Sequence, residues 1–136
     1  MIRTIVRDPL FLAVPSENAS PEDAPVADDL LHTLLANTDR CVGMAANMIG
    51  VRKCVIVFEC DGKTMEMFNP RILSGTGEYT AQEGCLSLEG TRTVKRCRVI
   101  RVQWQDRQGK MHVRRFEGFT AQIIQHETDH CRGILI

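Results

Sequence analysis

His126-Glu127-Thr128-Asp129-His130 spells H-E-x-x-H, two histidines four residues apart with a glutamate directly after the first. On a helix, residues four apart lie on one face, one turn above the other. Two imidazoles so placed can share one metal ion. The glutamate after the first can then reach a water or a carbonyl beside that ion. The pattern therefore points to metal-assisted attack on a carbonyl, and leaves the third ligand and the substrate open. The plainer reading is a solvated helix with two histidines. Phe119 and Ile123 put apolar residues on the histidine side of the helix, and buried imidazoles need partners, which a metal supplies.

A second stretch, Glu83-Gly84-Cys85-Leu86-Ser87, sets a cysteine beside a glycine. Cys85 with the two histidines would make a His₂Cys set that leaves one tetrahedral position free, as a catalytic site requires. On Cys85 alone, a buried structural thiol is the competing reading. A third stretch, Gly43-Met44-Ala45-Ala46-Asn47, is small and apolar and lets backbone come close to something. By itself it reads as a tight turn. A downstream His or Glu, the usual third ligand of an H-E-x-x-H protease, is missing: the six residues after His130 include neither.

These stretches need elements to hold them. Residues 1–25, with Pro9, Pro15, Pro21 and Pro25, read as irregular. Val26, Leu30, Leu31, Leu34 and Leu35 repeat at helical spacing, predicting a helix from near Pro25 to about Asn37. Residues 41–50 fit neither strand alternation nor a helix-length pattern. Residues 54–58 read as a buried strand, Asp61-Gly62 as a hairpin turn and 64–68 as the return strand, ended by Asn69-Pro70. Residues 98–104 alternate as a strand, Asp106–Gly109 turns the chain, and 111–116 runs back. A last helix spans Phe119 to about Arg132, with Gly133 as its stop. The expected fold is α+β, with antiparallel β-sheets packed around a central helix carrying H-E-x-x-H. The length of 136 residues suits a single domain over 1–136.

Composition removes several classes of function. Seventeen basic and seventeen acidic residues give zero net charge, so nothing draws the chain to nucleic acid or an anionic membrane. Five Phe, one Tyr and one Trp are too few for base-stacking platforms. The first residues hold no long apolar run, which suggests a cytoplasmic chain whose six cysteines stay reduced.

Together and in this order, the three stretches resemble the motifs of the peptide deformylase family: G-x-G-x-A-A-x-Q, E-G-C-L-S and H-E-x-x-H, often extended to Q-H-E-x-D-H. The chain carries Gly43 through Asn47 of the first, all of Glu83–Ser87, and all of Gln125–His130. The spacing matches from Asp8-Pro9 through Asn69-Pro70 to Gly133. The resemblance implies that Cys85, His126 and His130 bind one divalent metal ion, Fe²⁺ in the cell, with Zn²⁺, Ni²⁺ or Co²⁺ as substitutes. It implies that Glu127 takes a proton from the attacking water and returns it to the departing amine. The Leu86 N–H would donate to the developing oxyanion. The substrate would be an N-formyl-methionyl peptide or nascent-chain terminus, met near the ribosome. Gly43, Met44, Met48, Gly84, Gln122 and Ile123 would line its cleft, Gly43 and Met44 through strand-like backbone pairing.

The chain departs from this pattern at Cys41, where the family has glycine, and at Met48, where it has glutamine. That glutamine donates a hydrogen bond to the formyl oxygen; a thioether cannot. After Ser87 the chain reads Leu88-Glu89-Gly90, without the proline common there. Met48 therefore opens two alternatives: a weakly active or noncatalytic metal-binding paralogue, or a hydrolase of another small amide. Gln122, one turn before His126, is expected to reach the cleft and make it more polar.

Overall fold

The computed structural model describes residues 1–136. Three helices and five strands follow the chain: α1 (Pro9–Leu12), α2 (Ala24–Leu35), β1 (Gly43–Ala45), β2 (Val55–Cys60), β3 (Lys63–Gly84), β4 (Thr91–Gln105), β5 (Met111–Glu117) and α3 (Gly118–Cys131). The strands form one antiparallel sheet, rather than several, in the order β1-β2-β3-β4-β5.

β2 explains how the two long helices are placed. Val55, Ile56, Val57 and Phe58 are all buried, so the strand is covered on both faces. Val55 and Val57 join a core with Leu30 and Leu34 of α2. Ile56 and Phe58 join a second core with Ile100, Val102, Ile123 and Ile124, which seats α3 on the opposite side. The α2 helix buries Ala27, Leu30, Thr33 and Leu34, the three- and four-residue spacing that the sequence shows.

Turn chemistry sets the hairpins. Asp61 and Gly62 have φ of 52° and 77°, the paired left-handed conformation that a two-residue hairpin loop requires. At the β4–β5 turn, the Asp106 carboxylate accepts from the N–H groups of Gln108 and Lys110, each at 3.0 Å. Gly133 (φ 75°) ends α3, donating its N–H to the carbonyl of His130.

Four expectations need correction. Asn69-Pro70 does not end β3, which runs on to Gly84 with shifts of register around positions 69–73. Proline has no N–H for the ladder and sits here at an irregularity. Asn69, at φ 53°, bonds instead through its side chain to both backbone groups of Ala19. β4 begins at Thr91, seven residues before the apolar alternation starts, because its first half pairs with this hidden extension of β3. Within 1–25, Asp8 caps a short helical turn by accepting from the Leu10 N–H. Residues 41–50 do contain regular structure, β1 followed by a 3₁₀ turn over Ala46–Ile49 that closes at Gly50 (φ 87°).

Candidate active site

Three segments meet at one end of α3. The helix brings His126, Glu127 and His130. The loop 85–90, joining β3 to β4, brings Cys85 and Leu86. β1 and the 3₁₀ turn after it bring Gly43 and Met48. A cavity of about 580 Å³ opens there, lined by Gly43, Met48, Cys85, Leu86, His126 and Glu127 among others. Gly84, Gln122 and Ile123 also line it, as expected. Met44 does not. Its side chain is fully buried in the core with Leu30 and Leu34, because alternation along β1 turns it away from the cavity.

Cys85 Sγ, His126 Nε2 and His130 Nε2 converge. The sulfur and the second imidazole lie 3.3 Å apart, the two Nε2 atoms 3.3 Å apart, and all three donors fall within 4.8 Å of one another. A neutral imidazole nitrogen and a thiolate each offer a lone pair, and here three such donors are aimed at one point. A divalent cation satisfies all three, and the soft sulfur with two imidazoles is a donor set that such ions accept. The residues present fit the group.

A buried ion-pair network orients His126. Its Nδ1 is 2.8 Å from Glu83 Oε1. Arg96 holds both oxygens of the same carboxylate, at 2.9 and 2.7 Å, and reaches Asp129 of α3 at 2.7 Å. Glu83 is 6% exposed and Arg96 5%, so this is a core network and not a surface pair. Burial alone would raise the Glu83 pKa; the bonds from His126, Arg96 and Gln122 hold it down to about 2. Burial likewise opposes charge on His126, but the Glu127 carboxylate and the bonds to Cys85 and Glu83 push it up to about 10. His130 is lowered to about 3 by burial and by the neighbouring His126 and Arg96 charges. Breaking such a network leaves buried carboxylates uncompensated. Arg96→Leu is expected to cost about 3–5 kcal/mol of stability in urea unfolding. A loss below about 1 kcal/mol, the range of a surface pair, would contradict this reading.

Glu127 is buried, and its Oε1 has no partner within the protein. Burial raises its pKa to about 7, partly offset by the His126 charge. A carboxylate that titrates near neutrality can both take and give a proton. Gly43 makes room for it. A Cβ on Gly43 would lie 2.7 Å from Ile123 Cγ2 and 3.1 Å from Glu127 Oε2. Gly43→Ala is therefore expected to displace Glu127 and cut turnover about 10²-fold, the usual effect of an ångström-scale misplacement. The check is kcat at unchanged metal content; a kcat within twofold of native, by the same reasoning, would contradict it.

The Leu86 N–H makes no hydrogen bond within the protein. Its carbonyl accepts from Arg7 Nη1 at 3.1 Å, a contact across 79 residues that no local signal reveals. Sulfur atoms sit on the outer edge of β1. Cys41 Sγ donates to the Gly43 carbonyl at 2.8 Å, and Met48 Sδ accepts from the Ala45 N–H at 3.5 Å. Burial, with the Glu127 charge nearby, pushes the Cys41 thiol up to about 12, so it is a donor and not a nucleophile.

Gln122 lines the cavity, and its amide is tied to two neighbours. It donates to Glu83 Oε2 at 2.9 Å and accepts from the Tyr79 hydroxyl at 3.2 Å. Gln122 thus reaches the cavity, as expected, and also extends the network behind His126. Sequence reasoning singled out the three converging donors and Glu127 but missed Arg96 and the contacts of Glu83 and Asp129. The charged letters of Glu83-Gly84-Cys85 and Gln125–His130 were the available signal, since buried carboxylates require a cation.

Residues 6–136 match the family model described as polypeptide deformylase. A peptide deformylase of Clostridium beijerinckii is 50% identical over 136 residues, the full length of both chains. Another, from Desulfitobacterium hafniense, is 39% identical over 124 residues, 90% of this chain and 81% of that one. Among solved structures, the Met-Ala-Ser-bound class I type b peptide deformylase of Acinetobacter baumannii superposes with a TM-score of 0.89 at 28% identity, over 99% of this chain and 97% of that one. The peptide deformylase of Thermotoga maritima gives a TM-score of 0.89 at 26% identity, over 99% and 95%.

Proposed function

This chain belongs to the polypeptide deformylase family, and we propose from that premise that it removes the N-formyl group from formyl-methionyl peptides, with Cys85, His126 and His130 as metal ligands and Glu127 as general base. The observation that carries the reading is the convergence of those three donors beside a buried, unpartnered carboxylate on an open cavity.

A divalent ion held by this set supplies a Lewis acid that activates water at neutral pH and polarises a carbonyl. The protein's groups do the rest. The outer edge of β1 is free of any neighbouring strand and borders the cavity, so Gly43 can pair with an extended peptide backbone. Phe119, Gln122 and Ile123 of α3 line the same cavity. Glu127 accepts the proton of the attacking water and returns it to the amine nitrogen as the C–N bond breaks. The products are formate and a free N-terminus. The unoccupied Leu86 N–H donates to the oxyanion. Glu83 and Arg96 keep the His126 ring in place through the cycle.

We assign iron(II) as the ion in the cell, on the family resemblance; Zn²⁺, Ni²⁺ and Co²⁺ suit the same donors. The substrate is the N-terminus of a nascent chain near the ribosome, in the cytoplasm. No helix of the protein is long and apolar enough to cross a membrane.

Chelation tests the metal assignment. Activity is expected to fall with metal content and to return on anaerobic addition of Fe²⁺ more fully than with Zn²⁺. Activity that persists after the ion is gone, measured by elemental analysis, would contradict it.

A further inference from the structure

We propose that Asn47 is a positioning residue for His130: its side-chain amide pins the backbone of that ligand, as Glu83 pins the ring of His126. The inference rests on reading Cys85, His126 and His130 as a metal centre.

The two histidines are held differently. His126 has a ring partner, since its Nδ1 meets Glu83 Oε1 at 2.8 Å. His130 has none: its Nδ1 is buried and without a hydrogen bond. A metal-bound imidazole usually has its second nitrogen fixed by a partner, and loss of such a partner weakens metal binding. For His130 the constraint falls on the backbone. Asn47 Nδ2 donates to the His130 carbonyl at 3.0 Å, joining the 3₁₀ turn to α3 across 83 residues.

That bond is not needed to satisfy the carbonyl. The same oxygen already accepts the Gly133 N–H at 3.0 Å. Nor does the site suit a side-chain amide in general, because Asn47 Oδ1 is buried without a partner. Leaving an acceptor unpaired is costly. An asparagine kept there for its donor end alone is explained by what that donor holds. Asn47 and Met48 are neighbours on one turn, so the wall of the cavity and the last ligand of α3 move as one piece.

Zinc release to a colorimetric chelator tests this, using the full chain loaded with zinc. Asn47→Leu removes the donor at similar size, and Asn47→Asp turns an acceptor toward the carbonyl. Both are expected to release zinc about 10–100-fold faster than the native chain. Asn69→Ala, which removes the bonds to Ala19 and Gln105 and does not line the cavity, controls for lost stability; at a comparable fall in Tm it should release zinc at the native rate. Should the two larger changes prevent folding, Asn47→Ser, which keeps a shorter donor, is expected to fall between native and Asn47→Leu. Native release rates in the folded Asn47 variants, or equal acceleration in Asn69→Ala, overturn the proposal. A native chain that holds no zinc overturns the metal-centre reading and the clamp with it.

Discussion

Replacing Glu127 with glutamine is expected to lower kcat for deformylation by about 10²–10⁴-fold, the contribution of a positioned general base, without changing metal content. Glutamine keeps the shape of the side chain. It therefore keeps the packing of Ile123 and Glu127 against bare Gly43, where even one added carbon would collide. What it loses is the ability to take a proton. Glu127 suits that task because its carboxylate is buried, one oxygen has no partner, and burial brings its pKa to about 7. The other buried carboxylate, Glu83, cannot stand in. It is held at about 2 and engaged by Arg96, His126 and Gln122. A variant that keeps near-native kcat would mean that the proton goes elsewhere.

Met48→Gln is expected to act in the opposite direction and raise kcat, by up to about 10²–10³-fold, the worth of one oxyanion donor. Met48 lines the cavity, and its thioether can only accept, which it does from the Ala45 N–H at 3.5 Å. Glutamine has similar length. Its Oε1 can accept that same N–H and so aim Nε2 toward the reacting carbonyl, beside the Leu86 N–H. The comparison is kcat with KM followed separately, since a donor that strengthens only in the transition state moves kcat. No gain would show that this cavity stabilises the oxyanion without a side chain at position 48.

Much of the site was legible because its parts are contiguous. His126, Glu127 and His130 share one helical face, and Cys85 lies in a five-residue motif. Asp61-Gly62 and Asp106–Gly109 were legible as turns because left-handed backbone and Asp side-chain bonds are local requirements. The long β3 was not. Asn69-Pro70 reads as a stop, and only the Ala19 contacts and the pairing with β4 show that the chain merely bends there. Arg96 was invisible for the same reason, since its partners lie 13 and 33 residues away. Gln122 was placed on the right face, but its partners Tyr79 and Glu83 come from β3, so its bonds behind His126 were not legible. Local chemistry was readable; long-range pairing required the fold.

Formate release from formyl-Met-Ala-Ser by the anaerobically prepared, iron-loaded chain is the sharpest test of deformylation at this centre. Formate and free Met-Ala-Ser are expected in equal amounts, lost on chelation and slowed about 10²-fold or more by Glu127→Gln. A chain that carries its metal at Cys85, His126 and His130 and still releases no formate, even with Met48→Gln, would contradict it.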